Sequence, residues 1–219
     1  MPRVARNRQE IEEIKDNILD HALDSIINEG FDSFTMRKLG ARVGCAAKTI
    51  YNYYESKDEI YLRILIKGFE KLNAIADEAI EGVSDPRARL RILGDVYLSF
   101  GLEHSHYYHV MFSTDSPKYL SYIGTGFESM AREERDIAMH FARIAEAVVA
   151  EILGKDIARD NDEISFQVVR MWSTLHGYVA LHNSRSMPEY QSDTLVYRDR
   201  ILDEMIAGFA AGPTGSLSQ

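Results

Sequence analysis

The 219-residue chain has little cysteine, proline and tryptophan, and it has no long apolar run. It contains one cysteine, five prolines and one tryptophan. A single cysteine excludes an intramolecular disulfide and fits a protein of the reducing cytoplasm. No apolar stretch approaches the ~20 residues that a membrane helix needs, and the arginine-rich start lacks the apolar core of a secretion signal. We therefore expect a globular, cytoplasmic protein that has no membrane partner.

The alternation of apolar and polar residues that marks a strand is also missing. Apolar residues instead recur at three- and four-residue steps, as on amphipathic helices. Capping patterns open two of these segments, Asn7 with Glu10 and Ser56 with Glu59. The later helices are expected to end near Ile80, Glu103, Leu153, Ser184 and Phe209. The sequence predicts an all-α fold with a small N-terminal domain at 1–57 (basic arm 1–9), a larger helical domain at 58–211 and a flexible tail at 212–219.

The segment 33–57 carries the strongest functional pattern. Thr35 suits the N-cap of a short helix over Met36–Val43, and Gly44 suits its left-handed end. A second helix is expected over Ala46–Tyr53, so the two form a helix-turn-helix. The segment has five basic residues and one acidic residue, a net charge of +4, whereas the whole chain carries −9. Local positive charge in an acidic chain favours contact with DNA phosphates at this end.

The second helix of this segment would present polar side chains outward while Ile50 and Tyr54 face inward. Lysine and asparagine hydrogen-bond to base edges, tyrosine hydroxyls reach phosphates, and a threonine methyl contacts thymine. The outward set comprises Ala47, Lys48, Thr49, Tyr51, Asn52 and Tyr53. This pattern favours a sequence-specific reader of double-stranded DNA over a basic surface that is merely solvated.

Residues spread over the first three predicted helices also match a known pattern at fixed spacing. They are Gly30-Phe31, Phe34 to Leu39, Gly44, Lys48 to Tyr51, Tyr53-Tyr54 and Ser56 to Glu59. On these residues, the segment from about Glu10 to Leu65 resembles the N-terminal domain of the TetR family of bacterial transcription regulators.

The resemblance implies roles for individual positions. Contact with phosphates is implied for Thr35, Arg37, Tyr51 and Lys57. Contact with bases is implied for Ala47, Lys48, Thr49, Asn52 and Tyr53. Ala46 and Ala47 depart from the polar residues that many members carry there, so Lys48 and Asn52 should carry more of the base reading.

The resemblance further implies a homodimer formed through the last two long helices. Both helices carry apolar stripes, and the pattern alone leaves open whether a stripe is internal core or dimer surface. On the first helix the stripe is Ile164, Val168, Trp172, Leu175 and Val179. On the second it is Leu195, Ile201, Leu202, Met205, Ile206 and Phe209.

The middle helices are dense in aromatic and polar side chains. Such residues either fill the core or line an apolar cavity with a few polar groups, which suits a small organic ligand. The candidate ligand residues are Tyr97, Phe100, His104, Tyr108, Met111, Phe112, Phe127, Met130, Trp172 and His176. The resulting hypothesis is a repressor that a small, largely hydrophobic effector releases from a palindromic operator.

Two other classes of protein compete with this hypothesis. A metal-responsive regulator could use Glu103, His104, His106 and His109, but only the last two histidines align on one helix face. A helical protein-interaction module would leave the basic segment unexplained. No nucleophile elbow, phosphate-binding glycine loop or HExxH motif is present, so we expect neither an enzyme nor a cofactor.

Overall fold

The computed structural model describes residues 7–112 and 115–209, and within these ranges it contains helices and no strands. The all-α prediction is thereby confirmed. Residues 1–6 of the predicted basic arm and the predicted tail 212–219 lie outside the described residues. The helices are α1 Arg8–Glu29, α2 Met36–Val43, α3 Ala47–Ile50, α4 Lys57–Ile80, α5 Pro86–Glu103, α6 Ser105–Phe112, α7 Tyr119–Tyr122, α8 Glu128–Leu153, α9 Asn161–Asn183, α10 Ser186–Tyr190 and α11 Arg198–Ala207.

Local capping chemistry sets the ends of the first helices. The Asn7 side chain accepts a hydrogen bond from the Glu10 amide, and the Glu10 carboxylate accepts one from the Asn7 amide, so the predicted capping box is confirmed. Thr35 caps α2 through a 3.3 Å bond from the Lys38 amide. Gly44 ends α2 with a φ of +78°, a conformation that favours glycine.

The helices depart most from the sequence prediction at α3, α10 and α11. Regular α-helix in α3 covers only Ala47–Ile50, because the following amides of Asn52 and Tyr53 bond three residues back in a tighter turn. The connection expected around residue 188 contains the short helix α10. Helix α11 begins at Arg198 rather than residue 194.

The described residues divide into two compact units. The first takes those within Met1–Glu70 and His106–Ala138, and the second those within Lys71–Ser105 and Met139–Gln219. In the first unit, α1 packs on α2 and α2 on α3. Their shared core comprises the fully buried residues Ile18, Ala22, Ile26, Leu39 and Ile50.

In the second unit, α5 packs against α9 and α11. Close approach is possible because Gly94 of α5 lies against the Leu202 side chain. The Arg198 guanidinium at the start of α11 also pairs with the Asp95 carboxylate at 2.7 Å. None of the helices in the described ranges has the length and hydrophobicity of a membrane-spanning segment.

Candidate functional site

The helix-turn-helix is held at its turn by a glycine that sequence reasoning did not single out. The Cys45 amide donates a 2.8 Å hydrogen bond to the Gly40 carbonyl, which brings the start of α3 onto α2. A Cβ atom added at Gly40 would lie 2.8 Å from the Cys45 carbonyl oxygen and 3.0 Å from the Ala47 nitrogen. Only glycine therefore fits at this position without a shift of the backbone.

This turn presents most of the predicted DNA-contacting side chains to solvent. The exposed members are Thr35, Arg37, Lys48, Tyr51 and Asn52, and the half-buried members are Ala47, Thr49, Tyr53 and Lys57. The side chains of Arg37 and Lys48 form no hydrogen bond or ion pair with another described residue. Their charges are therefore available to a polyanion.

Two other cations of the basic segment are already paired within the chain. The Glu29 carboxylate, at the end of α1, lies 2.8 Å from the Lys38 ammonium and 3.3 Å from the Arg42 guanidinium. The hydrogen bond from Lys38, followed by the charges of both cations, holds the pKa of Glu29 below its ordinary value. Glu29 lies just before the segment 33–57, so the charge of that segment alone does not reveal the pairing.

Lys57 also has partners inside the first unit. Its ammonium donates to the Phe31 carbonyl at 3.3 Å and lies 4.2 Å from the centroid of the Phe31 ring. The other neighbour of this ring is Tyr61, with the ring centroids 4.9 Å apart. The phosphate contact predicted for Lys57 would require the ammonium to leave these contacts.

Thr49 and Tyr53 border a groove of about 870 Å³ that α1 also lines. The α1 side of the groove includes the carboxylates of Glu10 and Glu13. Because acidic groups repel phosphates, the outer side of the turn, where Lys48 lies, is the more favourable side for DNA.

The second unit brings three of the predicted ligand residues together. Tyr97 is only 3% exposed, and its hydroxyl accepts a 2.8 Å hydrogen bond from the Trp172 indole. The same hydroxyl lies 3.4 Å from Nδ1 of His176. Trp172 itself is 47% exposed, so it belongs to the surface of this unit rather than to its core.

Phe100 and His104 form a separate pair in the second unit, with ring centroids 5.2 Å apart. Burial, followed by the charge of Lys71, lowers the pKa of His104, which favours a neutral imidazole.

The other five predicted ligand residues lie in the first unit. Tyr108 and Phe112 pack with tilted rings whose centroids are 5.0 Å apart, and Met111 lies against Gly68 of α4. Phe127 and Met130 pack on a cluster formed by Leu62, Tyr122 and Ala131, with Tyr119 beside them. The ten candidates therefore belong to several local clusters in two units.

The histidines proposed for a metal do not assemble. His106 lies 3.2 Å from the Asp24 carboxylate, while His104 packs on Phe100 in the other unit. In the part of the chain that the structure describes, no three side chains of the metal-binding types are grouped to hold an ion.

A buried acid on α8 was missed by sequence reasoning. Glu134 is 9% exposed, and burial raises the pKa of its carboxyl to about 7 despite the lowering effect of the nearby charge of Lys118. Burial also lowers the pKa of Lys118. The sequence does contain a signal, because Glu134 follows Phe127 and Ala131 at helical spacing and thus shares their apolar face.

The apolar stripe predicted on α9 is mostly internal core. Ile164, Leu175 and Val179 are buried within the second unit, as is Leu202 of α11. The outward side of the same unit exposes large apolar side chains, among them Trp172 and Leu195 of the predicted stripes. It comprises Phe166, Val169, Trp172 and Leu181 of α9, with Leu195, Val196 and Tyr197 before α11. We call these seven residues the exposed α9 face.

Two protein-family models match this chain. The model of the tetR family of bacterial regulatory proteins matches residues 18–64, which hold α2, α3 and parts of α1 and α4. The model of the tetracyclin repressor-like C-terminal domain matches residues 90–208, which run from α5 through α11.

Individual relatives are more distant. An uncharacterised HTH-type transcriptional regulator of Mycobacterium tuberculosis is 22% identical over 192 residues, which are 86% of this chain and 78% of that protein. The HTH-type transcriptional activator FasR of Mycolicibacterium smegmatis is 26% identical over 109 residues, 50% of each chain. The crystal structure of the transcriptional regulator FadR from Bacillus subtilis in complex with stearoyl-CoA matches with a TM-score of 0.63 at 15% identity, covering 87% of this chain and 97% of that one.

At 15% identity the structural likeness shows a shared fold alone. The family models go further, because the C-terminal match by itself spans more than half of the chain. The N-terminal match adds the helix-turn-helix whose exposed cations are described above. The chain therefore belongs to the TetR family, as a DNA-binding transcriptional regulator and not an enzyme.

Proposed function

We propose that the chain acts as a homodimeric repressor that leaves a palindromic operator when a small, largely hydrophobic ligand binds. The observation that carries the DNA-binding part is the exposed, unpartnered pair of cations at the helix-turn-helix, Arg37 and Lys48. Beside them, the exposed Tyr51 and Asn52 offer a hydroxyl for phosphate and an amide for a base edge. Domain boundaries at residues 57 and 211 belong to the same proposal.

Homodimerisation is supported by the exposed α9 face. Phe166 is 60% exposed and Val169 is 53% exposed in the single chain, and both lie within two turns of Trp172 along α9. Several large apolar side chains exposed on one helix are typical of an interaction site. A two-fold dimer would place its two reading helices roughly 34–36 Å apart, one turn of DNA, on the half-sites of a palindrome.

A small-molecule effector is supported by the aromatic clusters and by a neighbour. FadR from Bacillus subtilis shares the fold and is described in complex with stearoyl-CoA, so this fold can accommodate an apolar chain. In this chain, the half-buried Phe127 and Met130 offer apolar surface beside Tyr122. Ligand binding would favour the dimer state that fits the operator poorly.

Binding to DNA from upstream of the chain's own gene tests the proposal. Fluorescence anisotropy with full-length protein should give an affinity that falls steeply between roughly 50 and 200 mM salt. A scrambled duplex of equal length is the control for sequence preference. A flat salt dependence, or equal affinity for both duplexes, would overturn the DNA-binding role assigned to this surface.

Transcription in vitro from the same DNA separates repression from activation. Repression predicts fewer transcripts when the protein is added. FasR, the relative that is 26% identical over half of each chain, is an activator. An increase in transcripts when the protein is added would therefore leave the operator assignment intact and identify the chain as an activator.

A further inference from the structure

The groove between α1 and the helix-turn-helix combines an acidic rim with an apolar floor. The rim carries the exposed carboxylates of Glu10 and Glu13 from α1. The floor contains Ile18, which is 1% exposed, together with the half-buried Ile14 and Val43. At about 870 Å³ the groove has room for a segment of polypeptide rather than for a single ion.

The two carboxylates of the rim have no cation among the described residues. Glu10 accepts a hydrogen bond from the Asn7 amide, and Glu13 accepts one from the Gln9 side chain at 3.1 Å. Neither forms an ion pair with another described residue. Because these carboxylates repel phosphates, the groove suits a basic, partly apolar segment better than it suits DNA.

The chain itself contains such a segment next to the groove. Residues 1–6 include Arg3 and Arg6, with Val4 between them and no acidic residue. Asn7 lines the groove, so the chain enters α1 at its edge. Four residues before Asn7 reach at most about 14 Å, and Glu13 lies about 9 Å from Asn7 along α1. Both arginines are therefore tethered within reach of the rim.

We infer that the groove is a docking site for the chain's own residues 1–6, with Arg3 and Arg6 on the carboxylates of Glu10 and Glu13 and Val4 on the apolar floor. A single exposed ion pair is weak. Here the partners belong to one short stretch of chain, so their effective concentration is high and no second molecule has to bind.

The docked segment and DNA occupy different sides of the helix-turn-helix. Thr49 and Tyr53 border the groove, whereas Lys48 does not line it. The protein therefore holds Arg3 and Arg6 both in the free chain and on DNA, and it does so whether the regulator represses or activates.

Cys45 gives a direct readout of docking, because it is the only cysteine of the chain and it lines the same groove. Alkylation of the full-length protein by iodoacetamide, an uncharged reagent, measures how often the groove is open. Arg3→Gln/Arg6→Gln should raise the alkylation rate about fivefold, the effect of losing two exposed ion pairs.

Two features of the experiment exclude a general effect of charge on the thiol. Loss of positive charge disfavours the reactive thiolate and would by itself slow alkylation, so a faster rate reports uncovering. Arg8→Gln is the matched control, because Arg8 belongs to α1 and does not line the groove. This variant should react no faster than wild type.

A cycle of variants tests the acidic partner. Glu13→Gln should raise the alkylation rate of the wild-type chain, and it should add nothing when Arg3→Gln/Arg6→Gln is already present. Glu12→Gln is the control for this step, since Glu12 pairs with Lys15 and does not line the groove. High salt should bring the wild-type rate toward that of the arginine variant, because it screens the ion pairs.

DNA binding gives a second readout. With the upstream duplex, wild type and Arg3→Gln/Arg6→Gln should show the same salt slope, because docked arginines displace no counterions from the phosphates.

Four results would overturn the inference. The first two are an unchanged alkylation rate in Arg3→Gln/Arg6→Gln, and effects of Glu13→Gln and the arginine variant that simply add. The third is a wild-type rate that falls as protein concentration rises, which would assign the groove to a second molecule. The fourth is a salt slope lower by about 2 in the arginine variant, which would place both arginines on phosphates. The alkylation experiments contain no DNA, so they test docking even if the proposed function fails.

Discussion

The indole nitrogen of Trp172 donates a 2.8 Å hydrogen bond to the hydroxyl of Tyr97. The bond joins an exposed ring on α9 to a ring that is 3% exposed on α5. Because Trp172 belongs to the exposed α9 face, this bond links the surface proposed for dimerisation to the interior of the second unit.

Replacing the indole tests the strength of this link. Trp172→Phe should lower the free energy of unfolding by about 1 kcal/mol, since it removes the donor and keeps an aromatic ring. Tyr97→Phe removes the acceptor and also the neighbour of His176. In denaturant unfolding the double variant should cost less than the two single costs added together. Strict additivity would show that the two side chains do not stabilise each other.

Lys48 should contribute to DNA affinity without contributing to stability. Lys48→Ala should weaken operator binding and reduce the salt slope by about 1, because one fewer counterion is released. Its exposed side chain has no partner among the described residues, so thermal unfolding should not change. Lys155→Ala, in the second unit, is the control and should bind like wild type. If Lys48→Ala also binds like wild type, the reading surface lies elsewhere.

Gly40 should tolerate no side chain. Gly40→Ala should destabilise the helix-turn-helix by about 1–3 kcal/mol, because its Cβ would meet backbone atoms that cannot rotate away. Gly126→Ala is the matched control, since nothing lies within 4 Å of a Cβ at that position. Denaturant unfolding followed by circular dichroism measures both variants. Equal stability of Gly40→Ala and wild type would mean that the turn rearranges at little cost.

The exposed α9 face should control oligomeric state. Phe166→Asp should convert the proposed dimer into a monomer, because a carboxylate would be buried without a partner in the interface. Leu120→Asp offers a control with a similar change on α7, where Leu120 is 78% exposed. Sedimentation velocity should report a halved mass for the first variant only. A dimeric Phe166→Asp would exclude this face as the interface.

The buried acid predicts a specific dependence of stability on pH. The ordinary pKa of a glutamate is 4.5, and burial raises that of Glu134 to about 7. Between these values the folded chain keeps a proton that the unfolded chain has lost. The contribution of Glu134 to the free energy of unfolding therefore falls as pH rises from 4.5 to about 7, and it is constant above that.

The size of this contribution is about 3 kcal/mol. Glu134→Gln should remove it, so the variant should be more stable than wild type above pH 7 and similar to it near pH 4.5. Denaturant unfolding across this range, without added ligand, measures the difference. Parallel curves for the two proteins would show that Glu134 is not desolvated in the folded chain.

Features that depend on neighbouring residues were predictable from the sequence. The capping box at Asn7, the cap at Thr35 and the left-handed Gly44 all follow from chemistry within four residues. The ends of α4 at Ile80 and of α5 at Glu103 also agree with the prediction. The end of α3 was not predictable, because a short sequence does not show whether its backbone hydrogen bonds will span three residues or four.

Features that depend on distant residues escaped prediction. The need for glycine at position 40 arises from the approach of the Cys45 backbone. Which side of α9 faces solvent depends on how α5 and α11 pack on it, and a stripe in one sequence cannot distinguish these sides. The partners of Lys57 and the burial of Glu134 likewise depend on three-dimensional contacts.

The pairing of Glu29 with Lys38 and Arg42 has a consequence for how the protein searches the genome. Nonspecific affinity for DNA grows with each cation that displaces a counterion from the phosphates. Because the Glu29 carboxylate pairs with two of these cations, it lowers the affinity for every DNA sequence equally. The ratio of operator affinity to nonspecific affinity then depends more on Lys48 and Asn52. Glu29 therefore favours a short residence time on nonspecific DNA.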